Sequence, residues 1–219
     1  MNKPTLPPDA DAIHYYDPRT GQHGLPRNPF KSLVVPRPIG WISSWSKDGV
    51  ANLGPYSFFN AIAEAPPMVA FCSSRRPKSD EFKDSQLNAE ETGEFVVNIC
   101  TENLKDQMNI SSAPYAAGVD EFEKAGLTKG LCRNVKAPRV AEASVALECK
   151  YYKTIELPAV PGEHSHVMVL GSVVGIHINK SILTDGMVDM TKFRPIARLG
   201  YWQYTVVDNA FWMEPPEAT

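Results

Sequence analysis

Long hydrophobic runs are missing from this 219-residue chain. No stretch of about 18 consecutive apolar residues occurs, so no segment is expected to span a membrane. A charge excess is missing too. Lys and Arg number 22 against 25 Asp and Glu, the formal net charge is −3 and the pI is near 6.0. That balance offers no footprint for nucleic acid. Cysteine is sparse: Cys72, Cys100, Cys132 and Cys149 stand far apart. With no Cys-x-x-Cys pair, neither a zinc ribbon nor a thioredoxin-type centre is expected. Free thiols in a reducing cytoplasm are the expected state. The first residues have no apolar core of a signal peptide, which points the same way. His164 and His166 form an H-x-H pair, but no third ligand clusters around them, so no metal is expected. His177 sits in a strand pattern and is expected to be satisfied locally. Gly-rich dinucleotide and phosphate-loop motifs are absent. So are a Gly-x-Ser-x-Gly elbow and any Cys/His nucleophile arrangement, so no catalytic side chain is assigned.

Proline is plentiful, at 19 residues, and predicts many turns rather than long helices. Hydrophobic residues make up 43% and charged residues 21%, the proportions of a globular domain. Residues 1–29 are rich in Pro, Asp and Gly and read as an arm. One domain is expected over 30–207, with a tail over 208–219.

The stretch from Pro36 to Asn60 organises the rest. Alternation around Ile39, Trp41, Ser43 and Trp45 predicts a half-buried strand. Lys47, Asp48 and Gly49 predict a turn. A second strand through Val50–Leu53 is expected to stop at Gly54–Pro55, because Pro lacks the ladder donor. Trp41, Ser43, Asn52, Pro55, Tyr56, Ser57, Phe58 and Asn60 mix aromatic faces with hydroxyl and amide groups. Two readings stay open: a hairpin with core aromatics, or a site for a flat amphiphilic ring.

Met68–Cys72 reads as a buried strand. It leads into a loop with Ser73, Ser74, Arg75, Arg76 and Lys78, then Lys83, Asp84 and Ser85. A short helix through Thr92 follows, capped by Asp84 or Ser85 and stopped by Gly93. Cations, hydroxyls and a helix start together make a phosphate site; a solvated basic loop is the alternative. Glu94–Cys100 reads as a buried strand. Leu104, Gln107, Met108 and Ser111 share a helical face, and Asp120 with Glu123 predicts a short capped helix closed by Gly126. Two long strands are expected over Ser144–Leu157 and His166–Asn179.

Arg37–Ser43 followed by Asn52–Asn60 resembles the flavin reductase-like family of FMN-binding split barrels, which includes flavoredoxin-type proteins. The similarity continues in Arg75–Ser85, Gly93–Asn98 and Arg194–Tyr201, and covers roughly residues 20–207. The resemblance implies a mostly β fold, an antiparallel Greek-key split β-barrel with a few short helices. It implies FMN as cofactor, with the ring against Trp41, Ser43, Asn52, Pro55, Tyr56, Ser57, Phe58 and Asn60. The phosphate would be held within Ser73, Ser74, Arg75, Lys83, Asp84 and Ser85. Residues 77–82 lengthen that loop relative to the family pattern. NAD(P)H and a small-molecule or flavin acceptor would be the reaction partners. The family also implies a homodimer with the flavin at its interface. A non-enzymatic carrier of electrons or flavin is the alternative to an NAD(P)H:flavin oxidoreductase.

Overall fold

A computed structural model of the chain describes residues 12–76, 80–160 and 165–217. His164 and Lys78 therefore lie outside the described residues. Seven strands form the main sheet: β1 (Gly40–Trp45), β2 (Ala51–Tyr56), β3 (Phe59–Glu64), β4 (Pro67–Ser73), β5 (Glu94–Ile99), β6 (Val145–Glu156) and β7 (Val167–Ile178). Their order is β2-β1-β5-β6-β7-β4-β3, with every pair antiparallel. Three helices pack on β1 and β2: α1 (Asp84–Thr92), α2 (Lys105–Ser111) and α3 (Glu121–Ala125). A small antiparallel sheet joins Arg37–Pro38, Ile196–Arg198 and Tyr204–Val206.

β2 and β3 are the two edges of the main sheet, yet only Ser57 and Phe58 separate them in the chain. Six inter-strand gaps laid flat would place those edges about 29 Å apart. Two residues cannot span that distance. The sheet therefore curls until its edges meet, and no ladder joins β2 to β3, which leaves a split barrel. The approach is close: a Cβ on Gly40 would lie 2.6 Å from the Phe59 ring. The interior draws on all the strands, with Ile42, Tyr56, Phe71, Phe95, Val97 and Val169 among its buried residues. Phe71 sits between two rings, 5.0 Å from Tyr56 and 5.4 Å from Phe95. The outer face of β1 and β2 carries Trp41 and Leu53, covered by Met108 of α2 and Phe122 of α3.

Three local expectations are corrected. β1 is buried on both faces rather than one, because β2 and β5 flank it and helices cover its outer side. β2 runs through Gly54–Pro55 to Tyr56, with Pro55 opposite Trp41. An edge strand tolerates proline, since one side of its backbone has no ladder to complete. Neither Asp84 nor Ser85 caps α1; Lys83 occupies that position without a side-chain bond, while Gly93 ends the helix at φ 75°. Asp120 does cap α3, accepting from the N–H groups of Phe122 and Glu123.

Residues 131–140 cross the sheet with little regular structure. Buried side chains of the sheet take up their N–H groups. Glu148 accepts from Arg133 and Asn134, Glu94 from Lys136 and Ala137, and Asn98 from Val140. An irregular segment stays packed on a sheet only when its polar backbone is satisfied this way. The four cysteines are free, as expected, with Cys100 and Cys149 buried.

Candidate functional site

A cavity of about 490 Å³ opens between the end of β2, the start of α1 and the segment after α2. Its size is that of a small-molecule site. Of the residues expected to bind a ligand, Asn52, Pro55, Tyr56, Lys83, Asp84 and Ser85 line it. Ser57 lines an adjoining cavity of about 440 Å³, which shares Pro55 and Ser112 with the first and reaches Arg198, Trp202 and Tyr204.

The other expected residues lie elsewhere. Trp41 and Ser43 are fully enclosed. Trp41 donates from Nε1 to Ser111 Oγ at 2.9 Å, and Ser43 donates to the Pro138 carbonyl at 2.5 Å. Their side chains belong to the core under the helices. The alternation in β1 suggests an accessible face, but both faces are covered. Phe58 sits beneath the Lys31 and Arg37 cations, each 5.8 Å from its ring. Asn60 is exposed on β3 and bonds to its own neighbour, Ala61 N–H. Ser73 and Ser74 bond to the carbonyls next to them, and Ser73 also reaches the Tyr56 hydroxyl. Arg75 stacks 3.9 Å from the Phe82 ring and donates to the Asp80 carbonyl, so its charge stays within its own loop.

Arg76 instead lines the cavity, paired with Asp84 and donating to the Tyr115 carbonyl at 3.2 Å. Lys83 joins it there, its Nζ 5.7 Å from the Tyr56 ring. Burial, together with the nearby charges of Arg76 and Lys31, lowers the Lys83 pKa. Lys83, repelled by Arg76 and Lys31, stands with the Asp84-paired Arg76 near the first turn of a nine-residue helix, and cations beside a helix start favour an anionic group. Tyr56 closes the inner wall; burial pushes its hydroxyl up to about 12 and outweighs its bonds to Ser85 and Ser73.

The floor holds a side chain that patterning assigns only to a helix. Glu121 is buried and accepts from Leu53 N–H at 2.8 Å and from Asn52 Nδ2 at 3.1 Å. Burial, aided by Asp84, raises its pKa to about 7 against the pull of those bonds. Tyr115 and Glu121 carry no signal as site residues in the sequence, because their convergence depends on contacts across the fold, whereas Arg76 belongs to the cation-bearing loop that the sequence offers for a phosphate.

A second cluster lies on β6 and β7. Glu148 Oε1 is 2.5 Å from His177 Nε2, with Cys132 close by. The carboxylate already holds the Arg133 and Asn134 N–H groups, so it serves the crossing segment, and His177 is satisfied locally.

The fold defines a class, an antiparallel split barrel. The chain belongs to the family described as flavin reductase like domain, whose model matches residues 32–203. An uncharacterized protein of Aquifex aeolicus (strain VF5) is 44% identical over 169 residues, covering 77% of this chain and 83% of that protein. The crystal structure of nitrilotriacetate monooxygenase component B from Bacillus cereus superposes with a TM-score of 0.80 at 27% identity, covering 97% of this chain and all of that one. That of 2-nitrobenzoate 2-nitroreductase NbaA from Pseudomonas fluorescens gives 0.73 at 27% identity, covering 85% and 88%. No helix among the described residues is long and apolar enough to cross a membrane.

Proposed function

We propose that the chain binds FMN in the paired cavities and uses it as an NAD(P)H-dependent flavin reductase or a related small-substrate reductase. The observation that carries the reading is the convergence of Arg76 and Lys83 at the start of α1, on the cavity floored by β2. The donor set fits the cofactor. Two cations suit a phosphate, with Lys31 close enough to lower the pKa of Lys83. Gly54 leaves the β2 backbone open on the cavity wall. Pro55, Ser57, Trp202 and Tyr204 give the adjoining space the aromatic and polar mixture a flat ring requires.

When bound, the flavin supplies two-electron chemistry between a nicotinamide donor and the acceptor. The chain's own residues bind and orient. Arg76 and Lys83 hold the anionic end, Tyr56 closes the inner wall, and Trp202 and Tyr204 flank the open side. No side chain is assigned an obligatory proton transfer. A homodimer in the cytoplasm is part of the proposal, as is an open acceptor site. A carrier of electrons or flavin without turnover is the second reading.

Anaerobic mixing of the FMN-loaded protein with NADH and with NADPH, followed at the visible flavin band, tests the proposal. A reductase bleaches with at least one of them; a carrier bleaches only with dithionite or a reduced protein. With FMN saturating, His177→Gln should leave single-turnover reduction within a few-fold of wild type. A drop of about 1,000-fold would lie within the range of general acid–base catalysis and end the assignment of no proton donor.

A further inference from the structure

We propose that Glu121 is a positioning residue: through Asn52 it fixes Ser85 as a hydrogen-bond acceptor toward the cavity, so that this end of the site selects a polyol hydroxyl and not a phosphate. The inference rests on the FMN reading and divides the cofactor chain between two places.

The geometry runs as a relay of fixed polarity. An ionised carboxylate only accepts. Both Glu121 oxygens face Asn52 Nδ2, at 3.1 and 3.3 Å, and one also takes Leu53 N–H at 2.8 Å. The amide nitrogen of Asn52 must therefore face Glu121, and its oxygen faces away. That oxygen lies 2.7 Å from Ser85 Oγ. Ser85 has one proton and gives it to Asn52. What remains on Ser85 Oγ is acceptor capacity, and Ser85 lines the cavity beside Tyr56. A phosphate dianion offers no donor to such a group, whereas a ribityl hydroxyl does. The cations that suit a phosphate, Arg76 and Lys83, stand on the same cavity but outside the relay.

Protonation of Glu121 inverts the chain. The carboxyl then donates to Asn52, the amide turns over, Nδ2 faces Ser85, and the serine proton is released toward the cavity. With a pKa of about 7, raised by burial and by Asp84, Glu121 makes this change near neutral pH. The groups around it are Asp84 of α1 and Tyr56 of β2, with Arg76, Glu81 and Lys83 on the shared cavity. Next to it, at the N-cap of α3, Asp120 is paired with Lys129.

Riboflavin, which keeps the polyol and lacks the phosphate, and lumiflavin, which lacks both, separate the contributions. Fluorescence titration of the apoprotein from pH 6 to 8.5 is the measurement. Wild-type affinity for riboflavin should weaken about tenfold as pH falls from 8 to 6. Glu121→Gln should be pH-independent and weak throughout, because its amide donates to Asn52 at every pH. Ser85→Ala, a second variant with Glu121 intact, should lose the pH dependence as well. Lumiflavin should show none in any protein. Persistence of the wild-type pH profile in Glu121→Gln, or in Ser85→Ala if the first variant does not fold, overturns the inference while FMN binding stands. Failure of the wild type to bind FMN at any pH overturns the FMN reading and the inference together.

Discussion

Adjacent arginines do different work here. Arg75 is spent on its own loop, over Phe82 and the Asp80 carbonyl, while Arg76 turns into the cavity beside Lys83. Successive residues of an extended segment point opposite ways, so the sequence could place a cation in this loop without saying which one. A charge-assisted hydrogen bond contributes about 1.5–3 kcal/mol. Arg76→Ala and Lys83→Ala should therefore each weaken FMN binding at least about tenfold, read by fluorescence titration, while Arg75→Ala stays within about twofold. An equal loss in Arg75→Ala would place the phosphate on the other side of the loop. Asn52, Tyr56 and Ser85 all line the cavity; Ser85 was legible as a candidate because hydroxyls and cations precede a helix, and Asn52 and Tyr56 because polar and aromatic groups alternate beside a bend. Trp41 and Ser43 looked the same by that criterion. Their enclosure comes from α2 and from Pro138, 70 and 95 residues away, and local pattern carries no such information.

At the scale of elements, the strands were readable because β-branched and aromatic residues alternate between turn residues, and the long pair β6 and β7 announces itself by length. The segment over 131–140 was not. Its order comes from Glu94, Asn98 and Glu148, three polar side chains within the strands. Burial works to raise the Glu148 pKa, but the Arg133 and Asn134 N–H groups and the His177 ring outweigh it and hold it below the ordinary value. The unfolded chain then binds more protons than the native one in acid, so stability rises with pH there. This contribution is present above the ordinary carboxylate pKa and is lost as pH falls through the lowered native one. Glu148→Ala would strand two backbone donors, each costing about 1–3 kcal/mol if left unpaired. Its urea midpoint should fall with the m-value unchanged, and Glu148→Gln should show a shallower loss in acid than the wild type. An unchanged midpoint in Glu148→Ala would mean that the crossing segment is held by something else.

For the whole molecule, the apolar surface is uneven. Trp202 is 78% exposed, Phe211 79% and Trp212 91%, and Leu33 is 70% exposed. Large aromatics left in water in such number are the usual mark of a surface that another chain covers. Light scattering of the FMN-loaded protein should return twice the 24.2 kDa chain mass; a value near the chain mass would exclude the dimer. From Tyr56 to Phe59 the chain takes three Cα steps of about 3.8 Å, so the β2 and β3 edges are never more than about 11 Å apart at that end. At the other end, where Ala51 and Glu64 lie, no such short link ties them. Any breathing of the barrel must swing like a pair of compasses about Ser57–Phe58. Pro55 and Tyr56, which wall the cavity, sit beside that pivot, where the arms scarcely move while their tips travel furthest.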